Sequence, residues 1–223
     1  MLTIQIIPIE LPLPFHMGSV NCYLLRQGSS NLLIDTGSSS ARKTLSVALE
    51  KAGCTPENLK LIVLTHGDFD HSGNAAWLHT SFKVQLAVHA GDAGMVERGD
   101  MFINRKQPSW FIRKLIPLLT GFGKWEHFVP DLLLEDGIDL SRHGFYAKVI
   151  SIPGHSKGSI GILTTEGDLF CGDLFENLTK PKLNSIMDDI EDAQKSLETL
   201  RKLKIKTIFP GHGKPFHLNE ILQ

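Results

Sequence analysis

Apolar positions along this chain fall into short blocks with two different periods, and the blocks predict strands alternating with helices. Thr3 to Ile9 and Val20 to Arg26 read as strands, separated by a loop rich in Pro and Gly (Pro12, Pro14, Gly18). Asn31 to Gly37 predicts a third strand that ends in Asp35-Thr36-Gly37. A helix follows over about Ser39 to Ala52, with Leu45, Ala48, Leu49 and Ala52 on one face, Gly53 capping it and Pro56 preventing its return. Leu61-Ile62-Val63-Leu64 reads as a buried strand, and Ser72-Gly73-Asn74 can start a helix through Ala75, Ala76 and Leu78. Lys83 to His89 is the next strand, then Phe145 to Pro153, Ser159 to Thr164 and Asp168 to Asp173. Asp188 to Leu203 predicts a strongly amphipathic helix with Ile190, Ala193, Leu197, Leu200 and Leu203 inside, and the strand Lys206 to Phe209 closes the series. Strands with helices after them in each half suggest two packed sheets with helices outside. There is no internal repeat and no low-complexity tract.

Length and composition narrow the class. At 223 residues, with 42% apolar and 21% charged residues, the chain has the balance of a soluble globular protein, and one domain over 1–223 is the expectation. A net charge of −1 removes the electrostatic reason to expect nucleic acid. Cys22, Cys54 and Cys171 are an odd number without paired ligand spacing and read as small buried residues in a reducing compartment. No basic segment precedes Glu10, so a secretory signal is not expected, and no apolar run approaches the ~18 residues needed for a transmembrane span. The cytoplasm is the expected location and a small-molecule substrate the expected partner; a homo-oligomer is compatible with the sequence.

One segment changes the picture. Met101 to Trp125 carries five basic residues (Arg105, Lys106, Arg113, Lys114, Lys124) and no Asp or Glu, interleaved with large apolar side chains. It reads as part of a basic and apolar helical insert at about 92–130. Three uses fit it: core-packed helices with a solvated basic rim, a lid over a pocket for an acidic or amphipathic substrate, or a helix pair for a membrane surface or partner.

The chemistry gathers after the strands. Thr65-His66-Gly67-Asp68-Phe69-Asp70-His71 sets four metal-ligand types within six positions of an expected loop. So many imidazoles and carboxylates at the end of a buried strand would desolvate and repel one another, and a divalent cation relieves both costs. Taken alone, the loop could also be a solvated acidic turn with two incidental histidines. Three further strands, however, end in the same way: Pro153-Gly154-His155, Cys171-Gly172-Asp173 and Pro210-Gly211-His212.

In this order, Asp35, the loop His66 to His71, His155, Asp173 and His212 resemble the motifs of the metallo-β-lactamase fold hydrolase superfamily, over nearly the whole chain. The resemblance implies an α/β fold, an αββα sandwich of two mixed β-sheets flanked by helices, with a metal site at one edge. By the same resemblance His66 and His155 bind a first metal with position 68 as third ligand. Asp70, His71 and His212 bind a second, Asp173 bridges both, and Asp35 stands behind them, orienting the loop or a ligand histidine. The chain departs from the pattern at one position, where Asp68 takes the place of a histidine. That extra carboxylate makes the metals weaker Lewis acids and shifts preference toward harder ions, so iron and manganese stand beside zinc, the first expectation.

The function implied is hydrolysis of a small-molecule ester, lactone, thioester or phosphoester by a metal-bound hydroxide, with Asp70 orienting it or accepting its proton. Asp68 also prompts an alternative, a non-haem iron oxidoreductase on the same fold. Lys157 and His89 are weaker candidates for substrate contact, each with a structural alternative: a solvated loop lysine and a hydrogen-bonded core histidine. His16, His79, His127, His143 and His217 are expected to be structural. Strict alternation would put Cys171 on the same strand face as Asp173, although simple packing is the expected role of its thiol.

Overall fold

Several strands are apolar at consecutive positions instead of alternating apolar with polar, and such strands need cover on both faces. They receive it in the computed structural model, which describes residues 3–105 and 127–221. β1 (Gln5–Pro12), β2 (Ser19–Gln27), β3 (Ser30–Ile34), β4 (Leu59–Val63), β5 (Gln85–His89) and β6 (Leu132–Leu134) form one sheet in that order. β1 to β3 pair antiparallel, and β3 to β6 pair parallel. β7 (Ala147–Ser151), β8 (Ile160–Thr164), β9 (Asp168–Asn177) and β10 (Lys182–Leu183) form a second sheet in the order β10-β9-β8-β7. β11 (Thr207–Gly213) runs parallel to β9 along its other edge, with Leu169 paired to both Leu163 and Ile208.

Alternation sorts the side chains into three cores. Leu25, Leu32, Ile34, Leu61 and Val63 of the first sheet meet Val149, Ile160, Ile162 and Phe170 of the second. Cys22, Leu24, Leu33, Ile62 and Leu86 face outward, covered by α1 (Arg42–Lys51) through Leu45 and Leu49 and by α3 (Ala75–Phe82) through Ala75 and Leu78. α4 (Ala90–Arg98) adds Ala93 and Val96 to the same layer. On the far side, α5 (Ile190–Arg201) lays Ala193 and Leu200 against Ile152, Leu163 and Leu169. Truncating a fully buried Leu45 or Leu200 to Ala would cost about 2–5 kcal/mol. The result is the αββα sandwich of mixed sheets that the resemblance implied.

The differences from expectation are local. A short turn at Ser39–Ala41 precedes α1, because the Ser38 hydroxyl accepts from Ser40 N and delays the helix. Ile190 is exposed instead of inside: it lies in the first turn of α5, next to the capping Asp189, while Ser196 takes a buried place and donates to Pro153 O at 2.7 Å. β6, β10 and α4 have weak or no periodic signal, and β6 is three leucines in a row. Most of the basic and apolar segment lies outside the described residues, and so do the three uses considered for it; Met101 to Arg105 are described.

The parallel strands β3, β4 and β5 bring their C-terminal ends to one edge. At that edge the two sheets are bound together through Ile160 N to Thr65 O at 2.9 Å, Tyr23 Oη to Pro210 O at 2.7 Å and Asn21 Nδ2 to Gly213 O at 2.8 Å. No helix among the described residues is long and apolar enough to cross a membrane.

Candidate metal centre

Six ligand-type side chains converge at this edge; Asp173, expected to end its strand, lies instead in the middle of β9, which runs on to Asn177, and His212 lies inside β11. His66 follows β4. Asp70 and His71 lie on a single helical turn, α2 (Phe69–Ser72), instead of in an irregular loop. His155 follows β7, while Asp173 and His212 belong to β9 and β11. The ligand atoms of His66, His155 and Asp173 lie within 4.8 Å of one another, and so do those of Asp70, His71 and His212. Asp173 stands between the two groups, with Oδ1 3.2 Å from His71 Nε2 and Oδ2 3.4 Å from His212 Nε2.

Two glycines make this convergence possible. Gly172 has φ +49°, which breaks the alternation of β9, so Cys171 packs in the outer core while Asp173 turns into the site. A Cβ at Gly211 would lie 2.4 Å from Asp173 Oδ1 and 2.7 Å from His71 Cε1, inside the space the ligands surround.

Hydrogen bonds set the tautomers. His71 Nδ1 is 2.8 Å from Asp35 Oδ2, His155 Nδ1 2.7 Å from Ile186 O and His212 Nδ1 2.7 Å from Ser19 O. All three partners are acceptors, so each Nδ1 carries the proton. The Thr65 hydroxyl gives its one proton to Asp35 Oδ2 at 2.8 Å and must accept from His66 Nδ1 at 3.0 Å. In the neutral form, all four rings therefore turn an Nε2 lone pair inward. His66 Nε2, His71 Nε2 and Asp173 Oδ1 are buried without hydrogen-bond partners, and a divalent cation is a group that would satisfy all three.

Charge is concentrated here. Burial and the neighbouring His71 push His66 below the ordinary histidine range. Burial acts the same way on His71 and His212, but Asp173 and the other carboxylates outweigh it, raising His71 well above and His212 to about 11. Burial would raise Asp173, yet His212 and His71 hold it well below the carboxylate range.

Asp35 sits at the end of β3 with φ +59°, a conformation that Asp tolerates better than most residues. It accepts from Thr65 N and Thr65 Oγ1, both at 2.8 Å, besides holding His71. Asp68 stands beside the first group, its Oδ2 3.1 Å from His155 Nε2 and 3.6 Å from His66 Nε2. Its Oδ1 faces Arg105 Nη2 at 2.7 Å. Burial would raise Asp68, but the Arg105 guanidinium holds it well below the usual range.

Sequence reasoning missed Asp92 and saw Arg105 only as one of five basic residues. Asp92, in the first turn of α4, accepts from Gly67 N at 2.9 Å, Ser156 Oγ at 2.7 Å and Gly158 N at 2.8 Å, joining the two ligand loops. A lone Asp after a strand gives no signal of that role. Arg105 had one: a surplus buried carboxylate at 68 calls for a cation. Lys157 lines a small separate pocket with Asp188, Asp189 and Asp192. The His89 ring accepts from Gly91 N at 3.0 Å and caps α4. Neither lines the cavity of about 410 Å³ that opens over Asp68, Asp70, His155, Asp173 and His212.

Fold and site together define a class. The chain belongs to the metallo-beta-lactamase superfamily, whose family model matches residues 17–212. It is 27% identical over 206 residues to the Beta-lactamase-like protein 2 homolog of Caenorhabditis elegans, covering 91% of this chain and 58% of that protein, so it spans less than two thirds of that relative. It is 28% identical over 214 residues to the Acyl-coenzyme A thioesterase MBLAC2 of Gallus gallus, covering 88% of this chain and 73% of that one. Among solved structures, TTHA1623 in a di-iron-bound form is similar with a TM-score of 0.70 and 26% identity, covering 93% of this chain and 94% of that one.

Proposed function

We propose that this protein is a hydrolase of esters, lactones or thioesters with an apolar acyl part, acting with two divalent cations. His66, His155 and Asp173 would hold one, with Asp68 Oδ2 beside them; Asp70, His71 and His212 would hold the other. The observation that carries this reading is the convergence of four imidazoles with the carboxylates of Asp70 and Asp173, of which Asp70, His155, Asp173 and His212 line one cavity while His66 and His71 lie buried behind them. Cations held there would acidify a water and polarise a scissile carbonyl. Asp70, which lines the cavity, would orient that water or accept its proton. Asp35, Thr65, Ser19 O and Ile186 O would keep the imidazoles on the ligating tautomer throughout.

The wall selects among substrates. Met17, Leu178 and Ile186 line the mouth and are 50%, 64% and 69% exposed, an apolar collar suited to an acyl chain. Phosphoesters, compatible with a two-cation site, fit this wall less well. Among the described lining residues the guanidinium of Arg105 is already paired with Asp68. The thioesterase named among the relatives points the same way.

The test is a panel of acetyl to octanoyl esters and thioesters, lactones and a phosphodiester, run before and after chelation. Chelation should abolish acyl hydrolysis and added metal restore it. Ile186→Ser, which keeps the carbonyl that holds His155, should raise KM for octanoyl substrates roughly fivefold and leave acetyl substrates unchanged, a loss of about 1 kcal/mol of apolar contact. Metal-loaded protein that cleaves nothing in the panel would sink the proposal.

A second reading, an iron oxidoreductase on the same fold, is favoured by the oxygen ligand type at position 68 and by the di-iron form of TTHA1623. Zinc without iron in protein from unbiased growth medium would eliminate it.

A further inference from the structure

We infer that Arg105 is a positioning residue for the first cation: it binds one oxygen of Asp68, compensates that carboxylate's charge and leaves the other oxygen to act as a ligand. The inference rests on the two-cation reading above.

The two oxygens of Asp68 face different groups. Oδ1 is 2.7 Å from Arg105 Nη2, while Oδ2 is turned toward His155 Nε2 at 3.1 Å and His66 Nε2 at 3.6 Å. Both side chains are only 7% exposed, so their charges meet with little solvent screening. Arg105 Nε is also 3.8 Å from Asp188 Oδ2, which places the guanidinium between two carboxylates. The contact with Asp68 is one of charge and distance, without the alignment of a hydrogen bond. Such a pair compensates charge while allowing Oδ2 to adjust to an ion.

Charge counting explains why the pair belongs together. With a neutral ligand at position 68, Asp70 and Asp173 would give the site −2. Asp68 makes it −3, and Arg105 returns it to −2. The chain thus carries an oxygen donor at this position without a lasting surplus of negative charge, which would otherwise blunt the Lewis acidity of the cations. A surplus also costs the folded protein before any cation arrives, because three carboxylates then crowd one buried edge. Removing the guanidinium alone takes away the group that faces Oδ1 and leaves the Asp68 side chain free to turn, so Oδ2 is no longer held toward the imidazoles. Outer partners of this kind are worth about 10–100-fold in metal affinity.

The test is a cycle of Arg105→Met, Arg105→Lys, Asp68→His and Asp68→His/Arg105→Met, read by Zn²⁺ titration against a chromophoric chelator and by elemental analysis. Circular dichroism checks that each variant folds. Wild type should bind two equivalents. R105M should weaken one equivalent at least about tenfold and leave the other unchanged, and R105K should stay within a few-fold of wild type. D68H alone leaves a buried guanidinium beside the cation without a counter-charge and should weaken the same equivalent, whereas the double variant should recover it. Two equivalents bound equally or more tightly by R105M would overturn the inference while leaving the two-cation reading intact, since Arg105 would then be idle or occupying the cation's place. A wild type that binds only one equivalent would overturn both. If R105M fails to fold, the double variant against D68H decides: tighter binding by the double variant supports the inference, and equal or weaker binding overturns it.

Discussion

His71 Nδ1 lies 2.8 Å from Asp35 Oδ2, and the same carboxylate takes both the amide and the hydroxyl of Thr65, whose oxygen in turn receives His66 Nδ1. One residue at the end of β3 thereby orients a histidine of each ligand group.

Asp35→Asn tests that relationship. Asn tolerates the positive φ, so the turn should survive, but the amide cannot accept from all three donors. Metal affinity of the Asp70, His71 and His212 group should fall about 10–100-fold, measured by competition with a chelator. Asp35→Ala should show the same loss together with about 1 kcal/mol of added instability from Ala at φ +59°. Unchanged affinity in both variants would show that the His71 ring does not need Asp35.

Asp92→Ala addresses the joint between the ligand loops. Its carboxylate is buried and accepts from Gly67 N, Ser156 Oγ and Gly158 N, so truncation leaves two buried amides and a hydroxyl without their acceptor. Unfolding in denaturant should show a loss of about 3 kcal/mol. A loss under about 1 kcal/mol would mean that water replaces the carboxylate at little cost.

Proton release is the signature of metal uptake. In the metal-free site His212 has its pKa raised to about 11, against about 6.5 in the unfolded chain, because Asp173 and Asp70 overcome burial; His71 is raised as well. The stabilisation from a raised histidine is complete below the unfolded value and disappears as pH climbs through the folded one, so metal-free protein loses this contribution between about pH 6.5 and 11. A cation must displace these protons, so its affinity should rise with pH. Calorimetric titrations in two buffers of different ionisation enthalpy should show more than one proton released at neutral pH, and no buffer dependence would refute the assignment.

The legible part of the site is the part written in short blocks. His66, Asp70, His71 and His155 follow strands, Asp173 and His212 lie within β9 and β11, and a glycine stands near each, so the strand signal pointed to the candidates that the fold brings together. The outer partners were legible only in part. Asp35 has a strand-ending motif, but Ser19 and Ile186 act through carbonyls that every residue possesses, so no residue type marks them. Asp92 reaches residues 25 and 64 positions away, across loops whose approach depends on the packing of two sheets. Ile190 shows the converse, since its period places it inside and its position in the first turn of α5 leaves it exposed.

From its sequence alone the chain determined its layers and its chemistry: the alternation of apolar residues specifies strands and helices, and the residue types at strand ends specify which groups can ligate. Only the tertiary structure decided which groups Asp68 faces. Arg105 stands 37 positions away, and its 2.7 Å approach to Oδ1 depends on α4 and the loop after it folding back over the site. Charge compensation acts through distance in space, which local sequence spacing does not encode.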